Sequence, residues 1–291
     1  MGECKELDRL TSAAHSHFNP LNPTENRSRL RPQPNLKLVV FDFDGTLSWL
    51  RHGWPGMMCD VVREHVPRRE GESAEALEQL LLDEILALNG QPSIRQCERV
   101  AVMARERGGA ILDPEALRAE FQHRLDAAIE RRSERIRSGA AAPEDYLIPG
   151  AREFLACVHA ANLTPVILSS TIQERVIAEA GLLDVAGLFR GRIFGGTGDP
   201  QKFSKRAVFE RLLCEEGLSG EQLLAFGDGP TEIRDATELG GVAIAVCSDE
   251  EEHDSGRLDE RKRCQLSAAG AQAAIANFHA AAGLLNELLG R

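Results

Sequence analysis

No stretch of this 291-residue sequence approaches the roughly 18 uninterrupted apolar residues that a membrane-spanning helix needs. The N-terminus likewise lacks the apolar block of a secretory signal, so a soluble, cytoplasmic protein is expected. Positive charge is in deficit: 34 Lys and Arg stand against 45 Asp and Glu, a formal net charge of −11. That balance disfavours a grip on a phosphate backbone and argues against nucleic acid as the main partner. No Cys-x-x-Cys pair occurs among the seven cysteines, at 4, 59, 97, 157, 214, 247 and 264, which argues against both a thiolate zinc site and a disulfide framework. What is present is a 43% hydrophobic content, enough to give one large or two modest globular domains a core.

Residues 1–35 are polar and carry Pro20, Pro23, Pro32 and Pro34, the composition of a flexible lead-in. Regular structure begins at Leu36, where a short apolar run ends in Asp42, Asp44 and Gly45: a buried strand with a charged tip. Residues 48–147 carry no strand pattern and read as an all-helical insert. Within it Ser73 caps a helix through Leu77, Leu80, Leu81 and Ile85, and Asn89-Gly90-Gln91-Pro92 breaks it. Ser93 and Gln96 then form a capping box, and Asp113-Pro114 opens an Arg/Glu-rich helix to about Ser138, read as a solvated face.

From Ile148 onward helix and strand alternate. Strands are expected at 165–168, 191–194, 223–227 and 242–246, with a weaker one at 273–276. The first of these stops at Ser169-Ser170-Thr171, with Thr171 and Glu174 capping the next helix. The pattern predicts an α/β fold, a doubly wound parallel sheet built from residues 36–47 and 148–291, with the helical domain inserted.

In such sheets ligands sit beyond the carboxyl ends of the strands, and that is where the chemistry-bearing residues fall. Asp42 and Asp44, two apart, would raise each other's pKa unless a cation lay between them, and an all-oxygen site suits Mg²⁺. Asp228, in Gly227-Asp228-Gly229-Pro230, ends another strand and can supply a further ligand, with Glu232 behind it. Ser169, the backbone N–H groups that follow it at Ser170, and the ammonium of Lys205 suit a phosphate dianion. Lys205 is preferred to Lys202 because it begins a helix aimed at the site. Taken singly, Ser169 reads as a helix cap, Lys205 as a surface lysine and Asp228 as a turn. Together they describe phosphoryl transfer.

In order, Asp42-Phe43-Asp44-Gly45-Thr46, Ser169, Lys205 and Gly227-Asp228 with Glu232 resemble the four motifs of the haloacid dehalogenase (HAD) superfamily. The insert lies where that family's C1 caps lie, as in its phosphoglycolate phosphatase-like members. The resemblance implies a small phosphorylated metabolite as substrate, Asp42 as the nucleophile that forms an aspartyl-phosphate, and Asp44 as acid and then base. It also implies Mg²⁺ held by the Asp42 side chain, the Asp44 carbonyl and Asp228, with Glu232 in support and Ser169, Ser170 and Lys205 on the phosphoryl oxygens. A sugar phosphomutase of the same layout, or a phosphometabolite-binding module without turnover, are the alternatives. Arg51, His52, Trp54 and Arg95 of the cap are placed to meet a leaving group, although each reads more simply as a surface or hinge residue.

Overall fold

The computed structural model describes residues 24–25, 30–89, 91–197 and 203–291. Its strands are β1 (Thr24–Glu25), β2 (Leu38–Phe41), β3 (Thr164–Ile172), β4 (Ile193–Gly196), β5 (Leu223–Gly227), β6 (Val242–Val246) and β7 (Ala273–Ile275). They form one sheet in the order β1-β7-β6-β5-β2-β3-β4. All neighbours are parallel except β1, which runs antiparallel to β7. From β2 the chain winds outward through β3 and β4, then returns to the other side of β2 and winds outward through β5, β6 and β7. Strand order therefore reverses at β2, which puts the ligand crevice at its carboxyl end, where Asp42 and Asp44 follow.

Strand β2 is apolar at every position because both sheet faces are covered. Val39 and Phe41 belong to a cluster with Phe154, Phe226 and Phe278, while Leu38 and Val40 belong to one with Val166, Leu168, Phe209 and Leu212. The covering helices are α5 (Ala151–Ala160), α6 (Gln173–Leu182), α7 (Lys205–Glu216), α8 (Pro230–Glu238), α9 (Glu260–Ala268) and α10 (Ala281–Leu288). Between β2 and α5 come the inserted helices α1 (Trp54–Val62), α2 (Ala74–Ala87), α3 (Ser93–Glu106) and α4 (Pro114–Arg137). The insert has its own apolar cluster, including Met58, Leu81, Val100, Phe121 and Leu125. No described helix is long and apolar enough to cross a membrane.

Several local expectations change. The N-terminal segment read as a flexible lead-in contributes Thr24–Glu25 to the edge of the sheet, and residues 1–23 and 26–29 lie outside the described residues. Ser73 and Asp113 do cap α2 and α4, accepting from the N–H groups of Ala76 and Glu115. The Ser93–Gln96 capping box does not form: Ser93 is already helical, and Gln96 instead donates to the Ile85 carbonyl, tying α3 to α2. Thr171 and Glu174 do not cap α6 either, because β3 continues through Ile172, which pairs with Gly196 past an irregularity in the register. The glycines of β4 permit this close approach, since a Cβ on Gly195 would lie 2.4 Å from Gln173 Cα. Helix α4 is not solvated all round: Leu117, Phe121, Leu125 and Ile129, four apart, are buried in the insert. Its outer face carries the expected ion pairs, such as Arg124–Glu120.

Candidate active site

Two strand ends and two helix starts converge at the carboxyl edge of the sheet. Asp42 follows β2, Asp228 follows β5, and Glu232 sits in the first turn of α8, three residues after Gly229. A carboxylate oxygen from each lies within 4.8 Å of the others, and all three residues are buried. Lys205, the first residue of α7, reaches them from the side: its Nζ donates to Asp42 Oδ1 at 2.7 Å and to Glu232 Oε2 at 3.0 Å. Glu232 is further fixed by accepting from the Gly229 N–H at 2.7 Å, so one side chain caps α8 and joins the cluster. Lys202, the competing lysine, lies outside the described residues.

Burial governs the electrostatics. It pushes the Asp42 carboxyl well above the usual carboxylate range; Lys205 opposes the shift, and Glu232 and Asp228 add to it. It likewise pushes Asp228 up to about 7, against Lys262 and with Glu232 and Glu250. For Lys205 burial acts downward, but Asp42 and Glu232 outweigh it and leave the ammonium more firmly protonated than usual. Two of the three acids thus resist ionisation with only protein cations nearby, and their oxygen-only donor set fits a hard divalent cation.

The Asp44 side chain does not join this cluster. Its Oδ1 accepts from Arg51 Nη1 at 2.5 Å and its Oδ2 from Thr171 Oγ1 at 2.8 Å, with Ser169 Oγ at 3.4 Å. Arg51 is shared with buried Glu179 of α6, whose carboxyl burial raises and Arg51 pulls back. Ser169 is buried and also accepts from the Thr171 N–H, and Ser170 follows it on the cavity wall.

Gly45 makes the turn between the two aspartates possible. It has φ +75°, and a Cβ there would lie 2.1 Å from Asp228 Oδ2. Gly45→Ala is expected to cost about 2–4 kcal/mol from backbone strain and displacement of Asp228, lowering Tm by roughly 5 °C or more. A thermal melt indistinguishable from wild type would contradict this account of the turn.

A cavity of about 510 Å³ opens over the acids, between the sheet and the insert. Asp42, Asp44, Ser169, Ser170 and Lys205 line its floor, and Arg51 and Trp54 line it from the insert side. His52 and Arg95 do not line it: His52 stacks on Trp49, and Arg95 pairs with Glu98 on the exposed side of α3.

Three contacts escaped sequence reasoning. Asn89, read only as part of a helix break, reaches down from the insert, and its Nδ2 donates to the Asp228 carbonyl at 3.0 Å and to Oδ2 at 3.2 Å. Thr171, read as a cap, binds Asp44. Lys262 of α9, 2% exposed, lies behind Asp228: its Nζ is 2.5 Å from Glu250 Oε1 and 3.7 Å from Asp228 Oδ2, and donates to the Ser248 carbonyl at 3.2 Å. The other oxygen of Glu250 accepts from the Gly53 N–H, where α1 begins. Only the helix break at Asn89 left a trace in the sequence.

The family model for haloacid dehalogenase-like hydrolases matches residues 36–240. The fold is similar to a predicted phosphoglycolate phosphatase from Haemophilus somnus, at TM-score 0.56 and 16% identity over 86% of this chain and 98% of that one. It is also similar to a HAD family hydrolase from Deinococcus radiodurans with bound phosphate and sodium, at TM-score 0.54 and 16% identity over 88% of this chain and 97% of that one. A Thermotoga maritima protein called a beta-phosphoglucomutase matches at TM-score 0.52 and 17% identity, over 87% of this chain and 100% of that one. Among curated protein sequences none matches the chain.

Proposed function

Since the chain belongs to the haloacid dehalogenase-like hydrolases, we propose that it is a Mg²⁺-dependent phosphohydrolase of a small phosphate monoester, working through an aspartyl-phosphate. The observation that carries the reading is the buried trio Asp42, Asp228 and Glu232, of which Asp42, bonded to Lys205, lines the floor of a cavity that Asp44 also lines.

An Asp42 oxygen attacks phosphorus and the P–O bond to the leaving alcohol breaks, its oxygen taking a proton from the Asp44 carboxyl. Asp44, now a carboxylate, removes a proton from water, whose oxygen attacks phosphorus and frees phosphate and the Asp42 carboxylate. The Lys205 ammonium and the Ser169 hydroxyl face the oxygens where charge grows, the electrostatic contribution that usually dominates such transfers. Asp42, Asp228 and the Asp44 carbonyl would hold Mg²⁺, which supplies neutralisation of the phosphoryl oxygens. Glu232 serves through Lys205 and the start of α8.

Phosphate release from p-nitrophenyl phosphate by the purified chain tests the reading. Turnover is expected with Mg²⁺ and is expected to vanish with a chelator; turnover that survives metal removal would sink the metal assignment, and its absence under all conditions the hydrolase reading.

The metal also has a pH signature. An acid whose folded pKa lies above its unfolded value near 4 holds its proton longer in the native state, so native stability falls as pH rises between the two values. With Asp228 at about 7 and Asp42 also raised, the metal-free chain is expected to lose stability between about pH 4 and about pH 7, on the order of a few kcal/mol. Mg²⁺ favours the ionised ligands and should flatten the slope. Melting curves across that range, with chelator and with Mg²⁺, check both signs.

A further inference from the structure

Above the acids the cavity has an outer part that the chemistry does not use. Trp54 of α1, Ile94 of α3 and Phe121 and Leu125 of α4 line it from the insert, and Ile172 and Phe203 from the sheet side. Ile172, next to Thr171, is 43% exposed, one of only three large apolar side chains so exposed among the described residues. With Trp54, Phe121 and Leu125 it makes the cavity wall beside the reacting centre largely apolar, the kind of lining that small-molecule pockets have.

The guanidinium groups that line this cavity are already matched. Arg118 pairs with Glu115 at 2.7 Å, Arg175 with Asp126 at 2.5 Å, and Arg51 with Asp44 and Glu179. The Arg51 pairs are buried, so a leaving-group carboxylate or second phosphate drawing on Arg51 would strand a buried acid, whereas the Arg118 and Arg175 pairs are exposed and, each with its own acid beside it, offer an anion little net positive charge. Gln91 and Ser93 line the same wall and offer hydrogen bonds without charge. At about 510 Å³, the cavity falls within the roughly 300–1,000 Å³ of pockets that enclose a drug-sized molecule, far more than a two-carbon ester fills.

We propose that the ester this site takes is the phosphate monoester of a neutral, ring-bearing alcohol of sugar to nucleoside size, its ring lying against Trp54, Phe121 and Ile172. The inference rests on the phosphohydrolase reading and narrows it: carboxylate-bearing two-carbon esters and bisphosphates fit poorly.

Phosphate release by the full chain with Mg²⁺ is compared for a hexose 6-phosphate and a nucleoside 5′-monophosphate against phosphoglycolate and a hexose bisphosphate, with p-nitrophenyl phosphate reporting turnover. At least one neutral ring monophosphate is expected to exceed both charged competitors in kcat/KM by roughly tenfold or more, the scale on which pocket contacts discriminate. Trp54→Ala is expected to raise KM for that ester by about fivefold more than for phosphoglycolate. Phosphoglycolate or the bisphosphate equalling the best ring ester would overturn the inference while leaving the hydrolase reading intact. If no ester at all is turned over, the hydrolase reading fails, and the rise in Tm that each compound gives wild-type protein decides the inference: a rise with phosphoglycolate matching that with the ring esters overturns it.

Discussion

Asp42→Asn is expected to lower phosphate release by at least about a thousandfold while the protein melts no lower than wild type at neutral pH. The two halves of this result have one cause. The amide cannot attack phosphorus, so the first bond never forms. Yet Asp42 is buried against two other acids, and burial rather than Lys205 dominates its electrostatics, so ionising the carboxyl there carries a cost that the neutral amide removes. Lys205 keeps Glu232 as its partner at 3.0 Å. Phosphate release within tenfold of wild type would remove Asp42 from the nucleophile's role, and a marked fall in Tm would show that the Lys205–Asp42 contact outweighs the burial cost.

The second large effect is on stability. Lys262→Met should destabilise the chain by about 3–5 kcal/mol, a fall in Tm of roughly 6–20 °C, because it removes one member of a buried charge cluster and strands the others. Glu250 and Asp228 would both lose their nearest ammonium, with only small exposure to water in exchange. Removing the stranded acid as well, in Lys262→Met/Glu250→Gln, should recover a substantial part of the loss, since a neutral pair no longer needs compensation. Denaturant melts of the single and double variants provide the cycle, and strictly additive losses would mean that Lys262 acts by packing alone.

These two lysines also mark how far the sequence could be read. Lys205 was recognisable because it opens a helix after a strand, so its position alone aims it at the sheet edge. Lys262 sits in Asp259-Glu260-Arg261-Lys262-Arg263, a run that has every attribute of a solvated helix start. What buries it is the loop after β6, which folds back and brings Ser248 and Glu250 onto its ammonium, a tertiary arrangement with no local signature. Arg51 is a similar case: its partners Asp44 and Glu179 lie 7 and 128 residues away, and the second meets it only because α6 packs beside the crevice. Thr171 was misread for a different reason. Its Ser-Ser-Thr context favours a helix cap locally, but pairing of Ile172 with Gly196 keeps the chain extended, and tertiary pairing overrides local preference. The strands and the acids at their tips were legible because burial on both faces and a carboxylate after an apolar run leave marks within a few residues.

The inserted helices close on an apolar cluster separate from the two that line the sheet. Apolar side chains over the crevice such as Trp54 and Phe121, which pack on that separate cluster, can therefore be exchanged with little effect on the sheet, whereas Asn89 and Arg51, which bind Asp228 and Asp44, cannot. A lineage carrying this architecture can explore new leaving groups through drift in one module while the bond-breaking apparatus stays unchanged in the other.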